Sequence, residues 1–313
     1  MNHSRYMSAI ATLLVAGVAG CAGFERPEPR FELAGFTTHS DADLWNVVRS
    51  GGAAPVNGRV CILDSGVDLN HPDLNVSKEL SRSFVSRGPE QGDPHDYNGH
   101  GTHVAGIVAA IDNGIGVTGI ASGATVVAIK VVNKDGQGYT GDVLAGIRYA
   151  ASRLKDGQQL CDVVNFSIGA AADKRVDKAV RRAAKRVPFV ASAGNKGRHV
   201  RDFSPARLNA KNVYTVTAIA RGDRWPMFSN FGSTAVDFAA PGVRVRSTWK
   251  DGGYKTISGT SAAAAHVTGM LLRGGMLADG IVMDPRGDAY MIPVAPPVEL
   301  EPALASAEPT SGR

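Results

Sequence analysis

Apolar positions along this chain fall into two alternating kinds of run. Residues 59–66 (R-V-C-I-L-D-S-G), 124–132, 161–168, 187–192 and 213–219 are short, nearly continuous apolar stretches that end in turn formers or polar residues. Runs of that length and boundary predict strands buried on both faces. Between them, residues 41–49, 100–111, 142–153, 173–186 and 261–273 predict helices. The last of these has no Pro, one Gly (Gly269) and four consecutive alanines, which are the best helix formers. The β-α-β-α order predicts an α/β domain with three αβα layers and a mostly parallel central sheet. That domain is expected to span residues 41–284. There is no internal repeat and no second domain.

The ends of the chain read differently. Arg5 is the only charge in the first twenty residues, and residues 8–20 form an uncharged run. A bilayer span needs about 20 apolar residues, so the run predicts a signal peptide over residues 1–20. It closes on V-A-G-C, which resembles a bacterial lipoprotein cleavage site with Cys21 as the lipidated residue. The alternative is an ordinary signal peptide that happens to contain a cysteine. Residues 21–40 then form a lipidated N-terminus and linker. Residues 285–313, rich in Pro, Ala and Glu, predict a tail. The expected location is the cell envelope, after export, with a lipid anchor in the membrane.

Composition changes the picture little. A hydrophobic content of 43% indicates a globular chain, and the formal net charge is +5. Part of that charge is local: Lys174, Arg175, Lys178, Arg181, Arg182, Lys185 and Arg186 lie on one predicted helix. A solvated outer helix is the first reading and contact with anionic lipid headgroups the second. No nucleic-acid motif accompanies the charge, so no nucleic-acid partner is expected. Besides Cys21 there are only Cys61 and Cys161. Both fall in apolar strand-like runs, so buried free thiols are expected, with a single bridge as the alternative in an oxidising compartment.

Four segments carry candidate chemistry. Asp64 ends a predicted strand, where open α/β sheets place their sites. His100 begins a helix within N-G-H-G-T-H-V-A-G, Asn195 follows a strand in A-G-N, and Ser261 begins the alanine-rich helix. Ser261 could be a helix N-cap or a nucleophile placed at the positive end of the helix dipole. The His100–His103 spacing lacks the glutamate of H-E-x-x-H, which argues against a zinc peptidase. Together the four residues are what acyl transfer needs. An imidazole takes the proton of a serine hydroxyl, a carboxylate orients the imidazole, and donors receive the oxyanion.

The ordered motifs D-S-G, H-G-T-H-V-A-G, S-I-G, A-S-A-G-N and S-G-T-S-A-A-A-A-H-V-T-G resemble the subtilisin family of serine peptidases, as do F-S-N-F-G and A-A-P-G-V. The resemblance runs from about residue 43 to about residue 272. It implies a subtilisin-like fold and serine endopeptidase activity. Asp64 would orient, His100 would act as base and then acid, Ser261 would attack, and Asn195 would serve the oxyanion. It also implies that peptide substrate lies as a strand between Gly136–Gln137–Gly138 and Ser167–Ile168–Gly169, with Ser192 and Phe203 at the P1 pocket and Lys196 at its rim. No cofactor is implied for the chemistry. A structural calcium is implied at Asp73 and Asn113 with the carbonyls of Ile111, Ile115 and Val117, although Asp73 is equally well read as a turn cap. Protein or peptide substrates and a monomeric state are expected.

Three departures stand out. Ala262 and Ala265 occupy positions where the family pattern has Met and Pro. The segment before Asp64 has no room for the usual folding propeptide. Gly274 and Gly275 end the Ser261 helix early, with no clear final helix after it. An active endopeptidase is expected; the alternative is a pseudopeptidase that binds peptides without cutting them. An α/β-hydrolase esterase fits less well, because G-T-S-A-A lacks G-x-S-x-G.

Overall fold

The computed structural model of the chain describes residues 41–297. The predicted leader, Cys21, the 21–40 linker and residues 298–313 lie outside the described residues. Nine strands form the central sheet: β1 (Arg59–Asp64), β2 (Arg82–Ser83), β3 (Thr125–Lys130), β4 (Val163–Phe166), β5 (Phe189–Ser192), β6 (Val213–Ile219), β7 (Phe238–Pro241), β8 (Leu277–Met283) and β9 (Ala289–Val294). Their spatial order is β8-β9-β7-β6-β5-β4-β1-β3-β2, and every neighbouring pair is parallel except β8 with β9. The helices are α1 (Asp41–Arg49), α2 (His100–Ala109), α3 (Thr140–Ala150), α4 (Lys174–Ala183) and α5 (Thr260–Leu272).

The strand period of two assigns each side chain to a layer. Cys61 and Leu63 of β1, with Val127 and Ile129 of β3, pack against Ile147 of α3 and Val180 of α4. Val60 and Ile62, with Val126 and Ala128, face the other way onto Val104 and Val108 of α2 and Ala262 and Ala265 of α5. Helices thus cover both faces of a parallel sheet, as the continuous apolar runs require. The alanine run of α5 continues onto β5 and β6, where Ala263, Ala264 and Val267 meet Val190, Val216 and Ala218. Small side chains let this helix lie close to the sheet.

Two expectations are corrected here. Cys61 and Cys161 are not free thiols. They form a disulfide with a Cα–Cα distance of 5.6 Å, closing a separation of 100 residues. The physical reason is topological: β1 and β4 are sheet neighbours, and Cys161 lies two residues before β4. The domain also does not end at Asp284. Strand β9 runs through Ala289–Val294 and is inserted between β7 and β8. Its inward residues Tyr290 and Ile292 are buried, and the Tyr290 hydroxyl donates to Asp284 Oδ2 at 3.0 Å while accepting from the Gly232 N–H at 3.0 Å. A β-hairpin therefore completes the sheet edge after α5. No helix among the described residues is long and apolar enough to cross a membrane.

Candidate active site

The site is assembled at the carboxyl ends of the parallel strands. Asp64 is the last residue of β1 and is 1% exposed. The turn after it is tight because two glycines meet. A Cβ on Gly101 would lie 2.0 Å from the Gly66 carbonyl oxygen, so the first turn of α2 rests directly on the chain leaving β1. Gly99, in the left-handed region at φ 103°, precedes α2 and lets the chain enter it over the Trp249 ring.

That approach places the His100 ring against Asp64. Nδ1 of His100 donates to Asp64 Oδ1 at 2.7 Å, and the Ser65 N–H donates to the same oxygen at 2.7 Å. Asp64 Oδ2 has no hydrogen-bond partner among the described residues. Burial alone lowers the basicity of the His100 imidazole, but the charge and hydrogen bond of Asp64 outweigh it, with the charge of Asp96 adding to them, and its pKa lies above the usual histidine value. His103, one turn on, behaves oppositely. Burial, with the neighbouring His100 charge, holds it down to about 3, and its Nε2 lies 3.1 Å from the Val245 carbonyl and 3.0 Å from that of Lys255. His103 is a neutral structural residue, not a metal partner of His100.

A residue not singled out from the sequence organises this corner. Asp96 is fully buried. Its Oδ1 accepts from Ser65 Oγ (3.0 Å), Asn98 N (3.0 Å) and Gly99 N (2.8 Å), and its Oδ2 from Thr102 N (2.9 Å) and Thr102 Oγ1 (2.6 Å). Ser65 Oγ in turn accepts from Gly101 N at 3.0 Å. Asp96 therefore caps α2 and ties it to the turn that carries Asp64. Its position four residues before the helix was the only sequence signal.

Ser261 lies in the first turn of α5, after Thr260, with Gly259 at the cap position and no side-chain cap. It is therefore not the helix cap. As the second helical residue, its N–H has no intrahelical acceptor and points with the positive end of the dipole. Its hydroxyl donates to the Ser167 carbonyl at 3.3 Å. Asn195 stands beside the same helix end. Thr260 donates to Asn195 Oδ1 twice, from its backbone N (2.8 Å) and its Oγ1 (2.9 Å). A backbone N–H can only donate, so the amide orientation is determined and Nδ2 is left free to donate outward. The loop bearing Asn195 is braced by fully buried Asn230, whose Oδ1 accepts from Lys196 N and Arg198 N, both at 3.0 Å, and whose Nδ2 donates to the Ala193 carbonyl at 2.8 Å. Thr260 and Asn230 lie inside motifs noticed in the sequence, but their bracing roles are tertiary.

The two expected substrate segments come together. Gly136, Gly138, Ile168 and Gly169 line one cavity of about 230 Å³, floored by Val132 and Phe166. Gln137 opens onto the adjoining groove with Arg87 and Tyr139. Ser192 is buried at the end of β5. Phe203 lines neither space. It pairs with Ala171 in a short antiparallel bridge and packs on the cluster containing Ala193 and Val200, while Lys196 is exposed on the Asn195 loop.

At the expected cation position, Asp73 is fully buried. Its Oδ2 accepts from the Val117 N–H (3.1 Å) and the Tyr254 hydroxyl (3.2 Å). Oδ1 has no partner among the described residues, and burial raises the carboxyl pKa. The two donors on Oδ2 match the turn-cap reading of Asp73, and the unpartnered Oδ1 is an oxygen of the kind a hard cation takes.

Comparison with known proteins agrees with this geometry. The family profile described as "Subtilase family" matches residues 57–273. The chain is 37% identical over 214 residues to the "Thermostable alkaline protease" of Halalkalibacterium halodurans, covering 68% of this chain and 55% of that protein. It is 38% identical over 237 residues to the "Intracellular serine protease" of Paenibacillus polymyxa, covering 73% and 68%. It thus spans little more than half the length of the first of these relatives. A crystal structure of "a cold adapted subtilisin-like serine proteinase" superposes with a TM-score of 0.68 at 30% identity, covering 80% of this chain and 97% of that one. With the Asp64–His100 pair, the helix-borne Ser261 and the oriented Asn195 all on a fold of this kind, the chain belongs to the subtilase family.

Proposed function

We propose that this protein is a serine endopeptidase in which Asp64, His100 and Ser261 act as a triad and Asn195 serves the oxyanion. The observation that carries the reading is the 2.7 Å contact between Asp64 and His100. It fixes the imidazole proton on Nδ1 and leaves Nε2 as the base. Ser261 turns its hydroxyl from the Ser167 carbonyl toward Nε2, loses its proton there and attacks the scissile carbonyl. The oxyanion is received by Asn195 Nδ2 and the Ser261 N–H. The imidazolium, stabilised by Asp64, then protonates the leaving amine, and water repeats the sequence on the acyl-enzyme. Peptide substrate lies between residues 136–138 and 167–169, with glycines allowing close approach of the two backbones. Ser261→Ala should abolish hydrolysis of a peptide substrate with an unchanged circular dichroism spectrum; a variant that keeps wild-type turnover would overturn the assignment.

A second reading, a peptide-binding protein that does not cut, draws on one observation: the Ser261 hydroxyl is bonded to Ser167 O. It predicts peptide binding without turnover in the wild-type chain, measurable in the same assay.

The remaining assignments belong to this reading. Calcium would be held by Asp73, Asn113 and the carbonyls of Ile111, Ile115 and Val117, where it would add stability and no chemistry; a melting temperature unchanged by chelator would contradict it. A P1 pocket with the Lys196 cation at its rim predicts small or acidic P1 residues; a library profile dominated by Phe or Leu would refute this. Export to the cell envelope with a lipid anchor on Cys21 is supported by the V-A-G-C sequence, and export alone also by the disulfide, which suits an oxidising compartment. Mass spectrometry of the mature N-terminus decides the anchor.

A further inference from the structure

Helices α3 and α4 lie side by side over the sheet and leave a groove of about 490 Å³ between them, remote from the residues assigned to catalysis. Its floor is apolar, formed by Leu144, Ile147, Ala151, Ala179 and Ala183, and its rim is entirely cationic: Arg148, Arg175, Lys178, Arg182 and Arg186. Arg181 and Lys185 extend the charge along the exposed side of α4. The acids of α4 do not neutralise this face. Asp173 caps the helix and pairs with Arg175, and Asp177 is buried against Ser204 and Arg207. Cations suit helix C-termini, but one turn needs one or two. Here Arg148, Arg182 and Arg186 line one groove from two helices, a density of exposed positive charge that attracts an anionic partner.

We propose that the cationic face around this groove is a docking surface for an anionic phospholipid membrane, with headgroup phosphates on the exposed cations Arg148, Lys178, Arg182 and Arg186. Charge complementarity selects the partner, and the form of the surface selects a membrane over an acidic peptide. Apart from Arg175, which pairs with Asp173, the rim cations are carried on long side chains along exposed helix faces and none is held by a carboxylate among the described residues. Crossover helices run from the site edge of the sheet back to the opposite edge, so α3 and α4 carry Arg148, Arg182 and Arg186 away from Asp64 and Ser261. Each helix is roughly 15 Å long, so docking by this end keeps the cleft open to protein substrates. The biological setting rests on the envelope location proposed above; the binding itself does not, and the two are tested separately.

The test uses the full chain with Ser261→Ala, made by cell-free translation under oxidising conditions so that Cys21 carries no lipid. Its partition is measured onto phosphatidylcholine vesicles with and without 30 mol% phosphatidylglycerol, in low and high salt. Each cation close to an anionic surface strengthens partition about fivefold. Lys178→Glu with Arg182→Glu is expected to weaken binding to the anionic vesicles by at least about tenfold. A control, Arg244→Glu with Arg246→Glu, makes the same change in net charge on the other side of the sheet, beside the hairpin that packs on α2, and is expected to leave most of the binding. Melting temperatures of both variants verify folding. Failure of the wild-type chain to prefer anionic vesicles would overturn the proposal. So would equal loss in the two double variants, which reports net charge alone, or displacement from vesicles by low concentrations of poly-glutamate, which assigns the groove to an acidic polypeptide. Lipid on Cys21 is read independently by mass spectrometry, so either idea survives the failure of the other.

Discussion

Thr260 holds Asn195 by two donors on one oxygen: its backbone N and its Oγ1 both reach Asn195 Oδ1, at 2.8 and 2.9 Å. The same hydroxyl accepts from the Gly194 N–H at 2.9 Å. The residue before the proposed nucleophile therefore sets the direction of the amide proposed to receive the oxyanion. Thr260→Val keeps the shape and the backbone donor but removes the hydroxyl. Its kcat is expected to fall several-fold with KM little changed, since the loss is of positioning rather than of peptide contacts. Asn195→Ala should fall further, by about 10²–10³ in kcat, the magnitude established for this donor within the same family. Thr260→Val indistinguishable from wild type in kcat would remove the orienting role.

Asp64 raises the pKa of His100 against the opposing effect of burial. The base must be neutral to accept the Ser261 proton, so kcat/KM should rise with pH through a limb centred above the usual histidine value of about 6.5. Asp64→Asn removes the raising influence and leaves burial, so the limb should move to lower pH while kcat drops by about 10⁴. A limb that stays in place in Asp64→Asn would show that another group titrates.

The Cys61–Cys161 bridge joins two neighbouring strands three residues before Asp64. Closing so long a loop restricts the unfolded chain, and its loss typically costs about 2–5 kcal/mol. Cys61→Ala with Cys161→Ala in a Ser261→Ala background should lower the urea midpoint accordingly, and reductant should then have no further effect. A midpoint equal to that of the bridged chain would contradict a stabilising role.

Ala262 is buried directly after the nucleophile, in the cluster with Val245 and Ala105. It carries nothing that peroxide can oxidise, whereas a methionine there would become a larger, polar sulfoxide. Wild type should keep its peptidase activity through a peroxide series that inactivates Ala262→Met. Equal rates of loss would mean that oxidation elsewhere dominates.

The sheet and its helices are legible from the sequence because parallel strands buried on both faces leave continuous apolar runs, and Asp64, His100, Asn195 and Ser261 stand out as candidates because they lie in ordered motifs that resemble the subtilisin family. What is not legible depends on which elements become neighbours. Cys61 and Cys161 look like isolated core thiols until β1 and β4 are known to be adjacent. Asp96 and Asn230 look like loop residues until their five and three hydrogen bonds are seen. Strand β9 is obscured because its inward alternation, Tyr290 and Ile292, runs straight into the proline-rich sequence that begins at Pro293.

The central claim is that Ser261 is a nucleophile activated by His100, and a fluorophosphonate probe reads this on the protein itself. The probe bonds to a serine oxygen only where the hydroxyl is deprotonated as it attacks and the oxyanion is received. Mass spectrometry of the trypsin-digested, labelled chain should place one adduct on the peptide of residues 256–273, at Ser261, and His100→Ala should suppress it while leaving the melting temperature unchanged. A folded wild-type chain that takes no label at Ser261, or one whose labelling is indifferent to His100, would contradict the account.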